Sequence, residues 1–360
     1  MESRILVKKM LVVFMTAVLL AGCKRAPVSV SPDVVRDVRI TVIVDVLGDL
    51  SYNDGIVREL HLAEERYRES EKINLFVNAF EMQAGTGNEK DRVDLAFKEV
   101  SDLTIIANQI AIPILEPAVA YYPERDFILI DAEATGSNIY AAIFKPNEAA
   151  FLCGALAAKM SETGVIGIVI GMDIPPLHDF AVGYISGALE AVPDCKVIIS
   201  TVGNFFDASI GYELAARQFE RGSDVCFGVA GGAGLGCIKA AGDFGRYVIG
   251  VDIDQTEQVE PELRNVILTS CLKKFDTLIA VLLDRYIDGT LNFGESGRFG
   301  LKEGAVGIAR NQYYRNLVPQ SIRSEIDDLE EKVSSGAIRV RSAYEMTHAQ
   351  IDELFRSVRP

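Results

Sequence analysis

Three charged side chains in the sequence stand where apolar segments with strand character come to an end. Asp45 and Asp252 each directly follow a short apolar run, and Lys273 comes shortly after a third such run. A carboxylate accepts two hydroxyl hydrogen bonds at once, so Asp252 suits a sugar. A lysine is uncommon in so apolar a setting unless it meets a ligand or an acid. These side chains predict a binding site for a polar small molecule.

Two aromatic side chains, Tyr52 and Phe205, also follow predicted strands and have polar neighbours. Tyr52 precedes Asn53 at the start of a predicted helix, and Phe205 lies in a polar turn after a strand that ends near Thr201. An aromatic residue at such a position most often belongs to the core. Two of them from opposite lobes would instead form a stacking clamp for a flat ring.

A glycine-rich turn follows the predicted strand Val225–Val229. Gly232 and its glycine neighbours have no Cβ, so a ligand could approach the backbone amides at the start of the next helix. A dinucleotide site is an alternative, because Gly232-Ala-Gly234 matches the first half of G-x-G-x-x-G and Asp252 stands where a ribose ligand is expected. Cys237 occupies the third glycine position, however, so the match is partial. Close packing of helix on strand would also explain the glycines.

The elements that must position these residues alternate between strand and helix. Short runs without charge, such as Val165–Ile170, are typical of strands that are covered on both faces. Helices are predicted from Pro146 to Met160 and over Ser209–Arg221. This alternation indicates an α/β fold with doubly wound parallel sheets. Because the chain is about twice the usual domain size, two lobes are expected.

The C-terminal part has a different pattern. A charged periodic helix is predicted over Val318–Ser335, and Ile338–Val340 is predicted as a late strand. Residues 345–360 are expected to lie outside the two lobes and to contain a short final helix.

The N-terminus carries an export signal. Three basic residues precede the apolar run Met10–Leu20, which is too short to cross a bilayer and ends in Leu-Ala-Gly-Cys23. This ending resembles the bacterial lipobox, in which the cysteine is lipidated. The sequence therefore predicts a signal peptide over 1–22, palmitate or a similar lipid on Cys23, and a tether over 23–37. The protein would be lipid-anchored at the cell membrane and face the periplasm or the cell exterior.

Charge and composition limit the kinds of molecule that the protein is expected to bind. The formal net charge is −15, and it becomes −17 without residues 1–22, which carry three basic side chains and one acidic side chain. A surface this acidic argues against nucleic acid. The three histidines are scattered, and none of the cysteines has zinc-site spacing, so neither a metal nor a cofactor is expected. One disulfide is possible among the five cysteines beyond Cys23, which are Cys153, Cys195, Cys226, Cys237 and Cys271.

Several stretches in order resemble the basic membrane protein family, the purine nucleoside receptor lipoproteins of bacteria. They include Phe144–Met160, Ala230–Gly236, Gly250–Gln255 and Gly300–Gly307. The resemblance implies a type I periplasmic-binding fold with three crossings between the lobes. It implies lobes over 38–143 plus 272–310 and over 144–271 plus 311–344. The implied function is capture of a solute for an ABC importer, with its permease and ATPase as partners.

The resemblance also assigns roles to individual residues. A purine nucleoside would be the ligand, with its base stacked by Phe205 and Tyr52. Asn53 would hydrogen-bond the polar edge of the base. The residues around the ribose would be Asp45, Gly232, Asp252 and Lys273. Asp131 also matches a family position, although a structural role is expected for it.

Three features depart from the family pattern. Only six positions separate Asp45 from Ser51, where the family has a longer acidic loop, and Tyr52 stands where phenylalanine is usual. The segment Ala107–Ile112 lacks the aromatic residue and the acid that the family carries there. An unpaired buried donor costs about 1–3 kcal/mol, so these departures leave open which nucleoside is bound.

Two other functions remain open. A nucleoside hydrolase would need a general acid or base, or a metal cluster, near the sugar. Asp45 and Asp252 could serve as acids, but no histidine or metal-binding cluster accompanies them, so the protein is not expected to be an enzyme. A surface adhesin or sensor with a changed or secondary ligand is the other alternative.

Overall fold

The computed structural model describes residues 36–69, 73–84, 86–107 and 119–360. The predicted signal peptide, the lipidation site Cys23 and most of the tether lie outside the described residues. Residues 108–112, within the stretch that departs from the family pattern, also lie outside them.

The first lobe is built on a parallel sheet, of which six strands are described. They are β1 (Arg36–Val44), β2 (Ile73–Glu81), β3 (Leu103–Ile106), β4 (Asp126–Ile130), β5 (Ile139–Phe144) and β11 (Ser296–Phe299). Their order is β11-β5-β4-β3-β1-β2, and each pair of neighbours is parallel. β3 and β5 are buried along their whole length, as expected for strands with both faces covered.

The second lobe repeats this plan with one antiparallel strand. Its strands are β6 (Val165–Ile170), β7 (Lys196–Thr201), β8 (Val225–Val229), β9 (Tyr247–Asp252), β10 (Ile267–Lys273) and β12 (Val306–Ile308). Their order is β12-β10-β9-β8-β6-β7, and only the β10–β12 pair is antiparallel among these strands. The predicted α/β fold with doubly wound sheets is confirmed.

The helices connect these strands and cover the two sheets. They are α1 (Tyr52–Glu69), α2 (Glu89–Lys98), α3 (Pro146–Met160), α4 (Pro175–Ala191), α5 (Ala208–Glu220), α6 (Gly234–Phe244), α7 (Phe275–Ile287), α8 (Gln312–Leu317), α9 (Gln320–Ser334) and α10 (His348–Ser357). In the first lobe α7 packs against α1, and in the second α3 packs against α4.

The contact between α3 and α4 depends on small residues. A Cβ at Gly154 of α3 would lie 1.9 Å from the carbonyl oxygen of Tyr184, and a Cβ at Gly187 of α4 would lie 1.8 Å from that of Phe151. Real Cβ atoms do not approach so closely, so the two backbones are in contact only because glycine stands at both positions. This packing fixes α4, whose first turn borders the site described below.

The chain crosses between the lobes three times, as the sequence predicted. The crossings follow β5, β10 and β11. Two expected lobe boundaries differ from the structure. The boundary at 272 is slightly early, because β10 continues to Lys273 in the second sheet. The boundary at 310 is too late, because β12 pairs with β10 in the second sheet and not with the first lobe.

Two predictions for the C-terminal part need correction. Ile338–Val340 forms no strand; the carbonyl groups of Val340 and Arg341 instead accept hydrogen bonds from the side-chain amide of Asn147. The helix predicted over Val318–Ser335 begins only at Gln320. The short helix expected within 345–360 is α10.

Candidate ligand-binding site

A cavity of about 340 Å³ lies between the lobes, where the carboxyl ends of strands from both sheets face each other. This volume falls in the range of roughly 300–1,000 Å³ that is usual for small-molecule sites. The first lobe contributes Asp45, Val46, Leu47, Gly48, Asp49, Tyr52, Asn53, Ala107 and Asp131, and the second contributes Ile174, Pro176, Leu177, Phe180, Phe205, Phe206, Val229, Gly231, Gly232, Val251, Asp252 and Lys273. All seven residues that the sequence nominated as ligand contacts are therefore brought together.

The loop before α1 is organised by an acid that the sequence did not single out. The carboxylate of Asp49 accepts hydrogen bonds from the backbone N–H groups of Ser51, Asn53 and Asp54, at 2.9–3.1 Å. It thereby satisfies donors at the start of the helix that would otherwise have no partner. Burial raises the pKa of Asp49, although these hydrogen bonds oppose the shift. The short loop is thus a rigid rim of the cavity.

Asn53 is largely occupied in bracing this rim. Its Oδ1 accepts a hydrogen bond from the backbone N–H of Asp45, and its Nδ2 donates to Asp49 at 2.8 Å. Asp45 in turn accepts from the backbone N–H of Ala84 at 2.7 Å. The side chain of Asn53 therefore has one amide hydrogen and one lone pair left for a ligand.

Lys273 forms a buried ion pair across the lobes. Its Nζ lies 2.5 Å from a carboxylate oxygen of Asp131, and both side chains are at most 11% exposed. The same ammonium lies 4.6 Å from the ring centroid of Tyr52 and 5.3 Å from that of Phe180. Burial lowers the pKa of Lys273, but the attraction of Asp131 and Asp252 outweighs it, and the net shift is upward. Lys273 is therefore a fixed cation in the cavity wall.

Asp131 and Asp252 share an unusual backbone conformation. Asp131 directly follows β4 and Asp252 is the last residue of β9, and both have positive φ, +56° and +64°. For residues other than glycine this region carries strain on the order of 1–3 kcal/mol, and such strain concentrates at functional sites. Asp131, for which a structural role was expected, also accepts a hydrogen bond from the backbone N–H of Phe144 while lining the cavity.

Asp252 joins the two lobes through a hydrogen bond. The hydroxyl of Ser51, in the first lobe, donates to its carboxylate at 2.6 Å, and both residues are buried. Burial raises the pKa of Asp252, and the nearby Lys273 and the Ser51 hydroxyl oppose the shift. The bond spans the cleft, so the structure shows the lobes closed.

The aromatic walls come from both lobes. The ring of Phe205 lies against Gly171, where a Cβ would come within 2.5 Å of the ring. Tyr52 donates a hydrogen bond to the carbonyl of Ile130 at 3.3 Å, and its ring packs edge-on against Phe275. The predicted pair of aromatic residues thus borders one cavity. One side of the Tyr52 ring is taken up by Lys273.

The sequence did not reveal the wall formed by the start of α4. Ile174, Leu177 and Phe180 of this region line the cavity. They recur every three residues at the beginning of a helix that follows a strand, which is also the pattern of an ordinary core helix. Only the closure of the other lobe makes this face part of a site.

The residues that the structure describes include no group of three or more side chains suited to hold a metal ion. Within the same residues, no helix is long and apolar enough to span a membrane. The five cysteines after Cys23 are buried free thiols, so the disulfide that the sequence left open is not formed among them. A buried free thiol packs as a small hydrophobic group.

Two α/β lobes that are linked by three crossings and closed on a cavity define a solute-binding protein of the type I periplasmic fold. The family model described as "ABC transporter substrate-binding protein PnrA-like" matches residues 38–339. The chain belongs to this family, and the resemblance noted in the sequence is confirmed.

Individual relatives agree with this assignment. Basic membrane protein A1 of Borrelia garinii subsp. bavariensis is 28% identical over 316 residues, which cover 84% of this chain and 88% of the relative. The ABC transporter nucleoside-binding protein BmpA of Lactococcus lactis subsp. cremoris is 29% identical over 226 residues, 59% of this chain and 64% of the relative.

Solved structures share the fold. An ABC transporter solute-binding protein from Aeropyrum pernix K1 superposes with a TM-score of 0.71 at 23% identity, covering 90% of this chain and 97% of its own. A solute-binding protein of an ABC transporter from Conexibacter woesei gives 0.65 at 16% identity, covering 85% and 99%.

Proposed function

We propose that the protein captures a nucleoside, most specifically a purine nucleoside, in the cavity between its lobes. The observation that carries this proposal is the composition of the cavity wall, in which a flat aromatic ring and several buried charged groups converge. Phe205 offers a ring face, and Asp45, Asp252 and Lys273 offer acceptors and a cation. A nucleoside presents the complementary pair of a flat base and a ribose rich in hydroxyls.

In this arrangement Phe205 stacks on the base, and Tyr52 closes the opposite side of the cavity. Asp252 and Asp45 accept hydrogen bonds from the ribose hydroxyls, with the backbone of Gly232 close by. Asn53 contributes its remaining amide hydrogen to the polar edge of the base. The nucleoside-binding relative from Lactococcus lactis supports this choice of ligand.

The same proposal includes delivery and anchoring. A family of ABC transporter substrate-binding proteins implies a membrane permease and its ATPase as partners. The lipobox-like ending at Cys23 and the relatives called basic membrane proteins support a lipid anchor outside the cytoplasm. A receptor that binds and releases its ligand without changing it needs no catalytic group.

Substitution of the stacking residue tests the proposal. Base–aromatic stacking is worth roughly 1–3 kcal/mol, so Phe205→Ala should weaken binding of inosine about 5- to 150-fold in a calorimetric titration. Phe76→Ala is the matched control, because Phe76 is half exposed on β2 and does not line the cavity. Equal affinity of Phe205→Ala and the parent for every nucleoside tested would refute the stacking role.

A further inference from the structure

Residues 340–360, which we call the C-terminal segment, follow the part of the chain that matches the family. They are nevertheless integrated into the second lobe. Ala343 and Ile351 of the segment form a small buried cluster with Val182 of α4, and Leu354 and Phe355 pack against it. The segment therefore has a defined place on the outer side of α4.

Polar contacts fix the beginning of the segment. The carboxylate of Asp179, which is 1% exposed on α4, accepts hydrogen bonds from the hydroxyl of Ser342 and the backbone N–H of Ala343, both at 2.7 Å. Asn147 of α3 donates to the carbonyl of Arg341 at 3.2 Å. A buried carboxylate with two short hydrogen bonds is a strong anchor, so residues 341–343 move with the second lobe.

The helix that carries this anchor has two different faces. Its first turns present Leu177 and Phe180 to the cavity. On the other face, the ring of His178 lies between the carboxylate of Asp173, at 2.5 Å, and the ring of Phe355, at 6.1 Å between centroids. The C-terminal segment thus supports an element of the cavity wall from behind.

Tyr344 extends from this anchor to the first lobe. Its ring lies 5.6 Å from the guanidinium carbon of Arg298, which belongs to β11. Arg298 is held in turn by Glu133, at 2.6 Å, two residues beyond the Asp131 that pairs with Lys273. Burial raises the pKa of Tyr344, and the negative charge of Asp131 adds to the shift.

We propose that Tyr344 is a positioning residue that couples the C-terminal segment to the first lobe and so helps to set how tightly the lobes close on the ligand. The ring belongs to an anchor on the second lobe and the guanidinium to the first, so a rotation that separates these two groups breaks the contact. The effect on affinity rests on the proposed nucleoside function. The mechanical coupling between the lobes does not depend on it.

Three variants test the coupling through ligand affinity. A cation–π contact is worth about 0.5 kcal/mol when exposed to about 2 kcal/mol when desolvated, so Tyr344→Ala should raise the Kd for inosine roughly two- to thirtyfold. Tyr344→Phe keeps the ring over Arg298 and should restore the parent affinity. Tyr121→Ala is the control, because that ring is 84% exposed and lies outside the cavity lining. Unchanged affinity in Tyr344→Ala, or equal weakening in Tyr344→Phe, would overturn the proposal.

A second measurement separates this proposal from the nucleoside assignment. Hydrogen exchange of the ligand-free protein should be faster in Tyr344→Ala than in the parent at both residues 296–299 and residues 342–346. Tyr344→Phe should leave both regions protected. If the parent binds no nucleoside, the proposed function fails and the exchange result alone decides on the coupling. Unchanged exchange at 296–299 would overturn it.

Discussion

At the scale of single residues, the pair of Lys273 and Asp131 is the most consequential contact in the cavity. Two opposite charges lie 2.5 Å apart, away from water, and connect a strand end of the first lobe to a strand end of the second. A buried pair of this kind contributes little net stability compared with apolar residues, but removal of one partner leaves an uncompensated charge.

Lys273→Met is therefore expected to lower the free energy of unfolding by roughly 3–5 kcal/mol, because Asp131 loses its counter-ion. The double variant Lys273→Met/Asp131→Asn should recover part of this loss. Urea denaturation of the two variants and the parent measures both effects. If the double variant were less stable than Lys273→Met by as much as Asp131→Asn alone destabilises the parent, the two residues would not act as a pair.

Asp179 gives the protein a pH-dependent stability. Burial raises its pKa to about 6, against hydrogen bonds from Ser342 and Ala343. The carboxyl ionises at lower pH in the unfolded chain, so the free energy of unfolding should fall as pH rises from about 4 to about 6, by at most ~3 kcal/mol. Asp179→Asn keeps an acceptor oxygen but cannot titrate. In urea denaturation, the free energy of unfolding of the parent should therefore fall relative to that of Asp179→Asn as pH rises from about 4 to about 6. A constant difference from pH 4 to pH 7 would contradict the assignment.

The sequence predicted which residues line the cavity better than it predicted the hydrogen-bond partners of those residues. A polar residue after a parallel strand must lie at the carboxyl edge of its sheet, so Asp45, Asp252 and Lys273 could be placed from the pattern alone. The hydrogen bonds of Asn53 could not be predicted from the sequence, because the conformation of the short loop is what brings Asp49 next to it. The role of Ser51 likewise depends on the position of the other lobe.

At the scale of elements, the contact of α3 with α4 links the core to the cavity. The two glycines at the contact let the backbones touch, and α4 then presents its first turn to the cavity. Small residues in an apolar helix predict close packing, but the sequence does not show which helix is the partner.

Gly187→Ala should push the two helices apart, because its Cβ would lie 1.8 Å from a backbone oxygen of α3. Overpacking of this kind costs about 1–3 kcal/mol in the free energy of unfolding, or more where backbone must move. Ser186→Ala, one position earlier on the same helix, is the control and should change stability far less. Comparable thermal unfolding of the two variants would show that the close approach is not required.

The errors at element scale have a physical cause. Ile338–Val340 alternates like a strand, and Val340 is buried, but the carbonyl of Val340 is bound by the side chain of Asn147 and not by a sheet edge. β12 is only three residues long and antiparallel, so neither its length nor its pattern reveals which sheet it joins. Strand patterns report burial, whereas pairing is decided by the neighbouring strands.

At the scale of the whole molecule, closure of the lobes creates the site. The hydroxyl of Ser51 reaches Asp252 only when the lobes meet, and the cavity has walls from both lobes only in that arrangement. A ligand that binds the closed form shifts the population of lobes towards it.

Ser51→Ala should weaken nucleoside binding, because it removes a hydrogen bond to a charged group that exists only between closed lobes. Such bonds are worth about 1.5–3 kcal/mol, which corresponds to roughly a 10- to 150-fold increase in Kd. Calorimetry of this variant against Ser335→Ala, an exposed serine at the end of α9, provides the comparison. An affinity equal to that of the parent would mean that the bond does not contribute to closure.

The most direct test of the central claim is a calorimetric titration of the protein, unfolded and refolded to remove any ligand carried through purification. Inosine, guanosine, adenosine, cytidine and uridine would be titrated separately. The cavity of stacked ring and buried charges predicts tight one-to-one binding of at least one purine nucleoside, and weaker binding of both pyrimidine nucleosides. Failure of a correctly folded protein to bind any of the five would contradict the claim that the cavity holds a nucleoside.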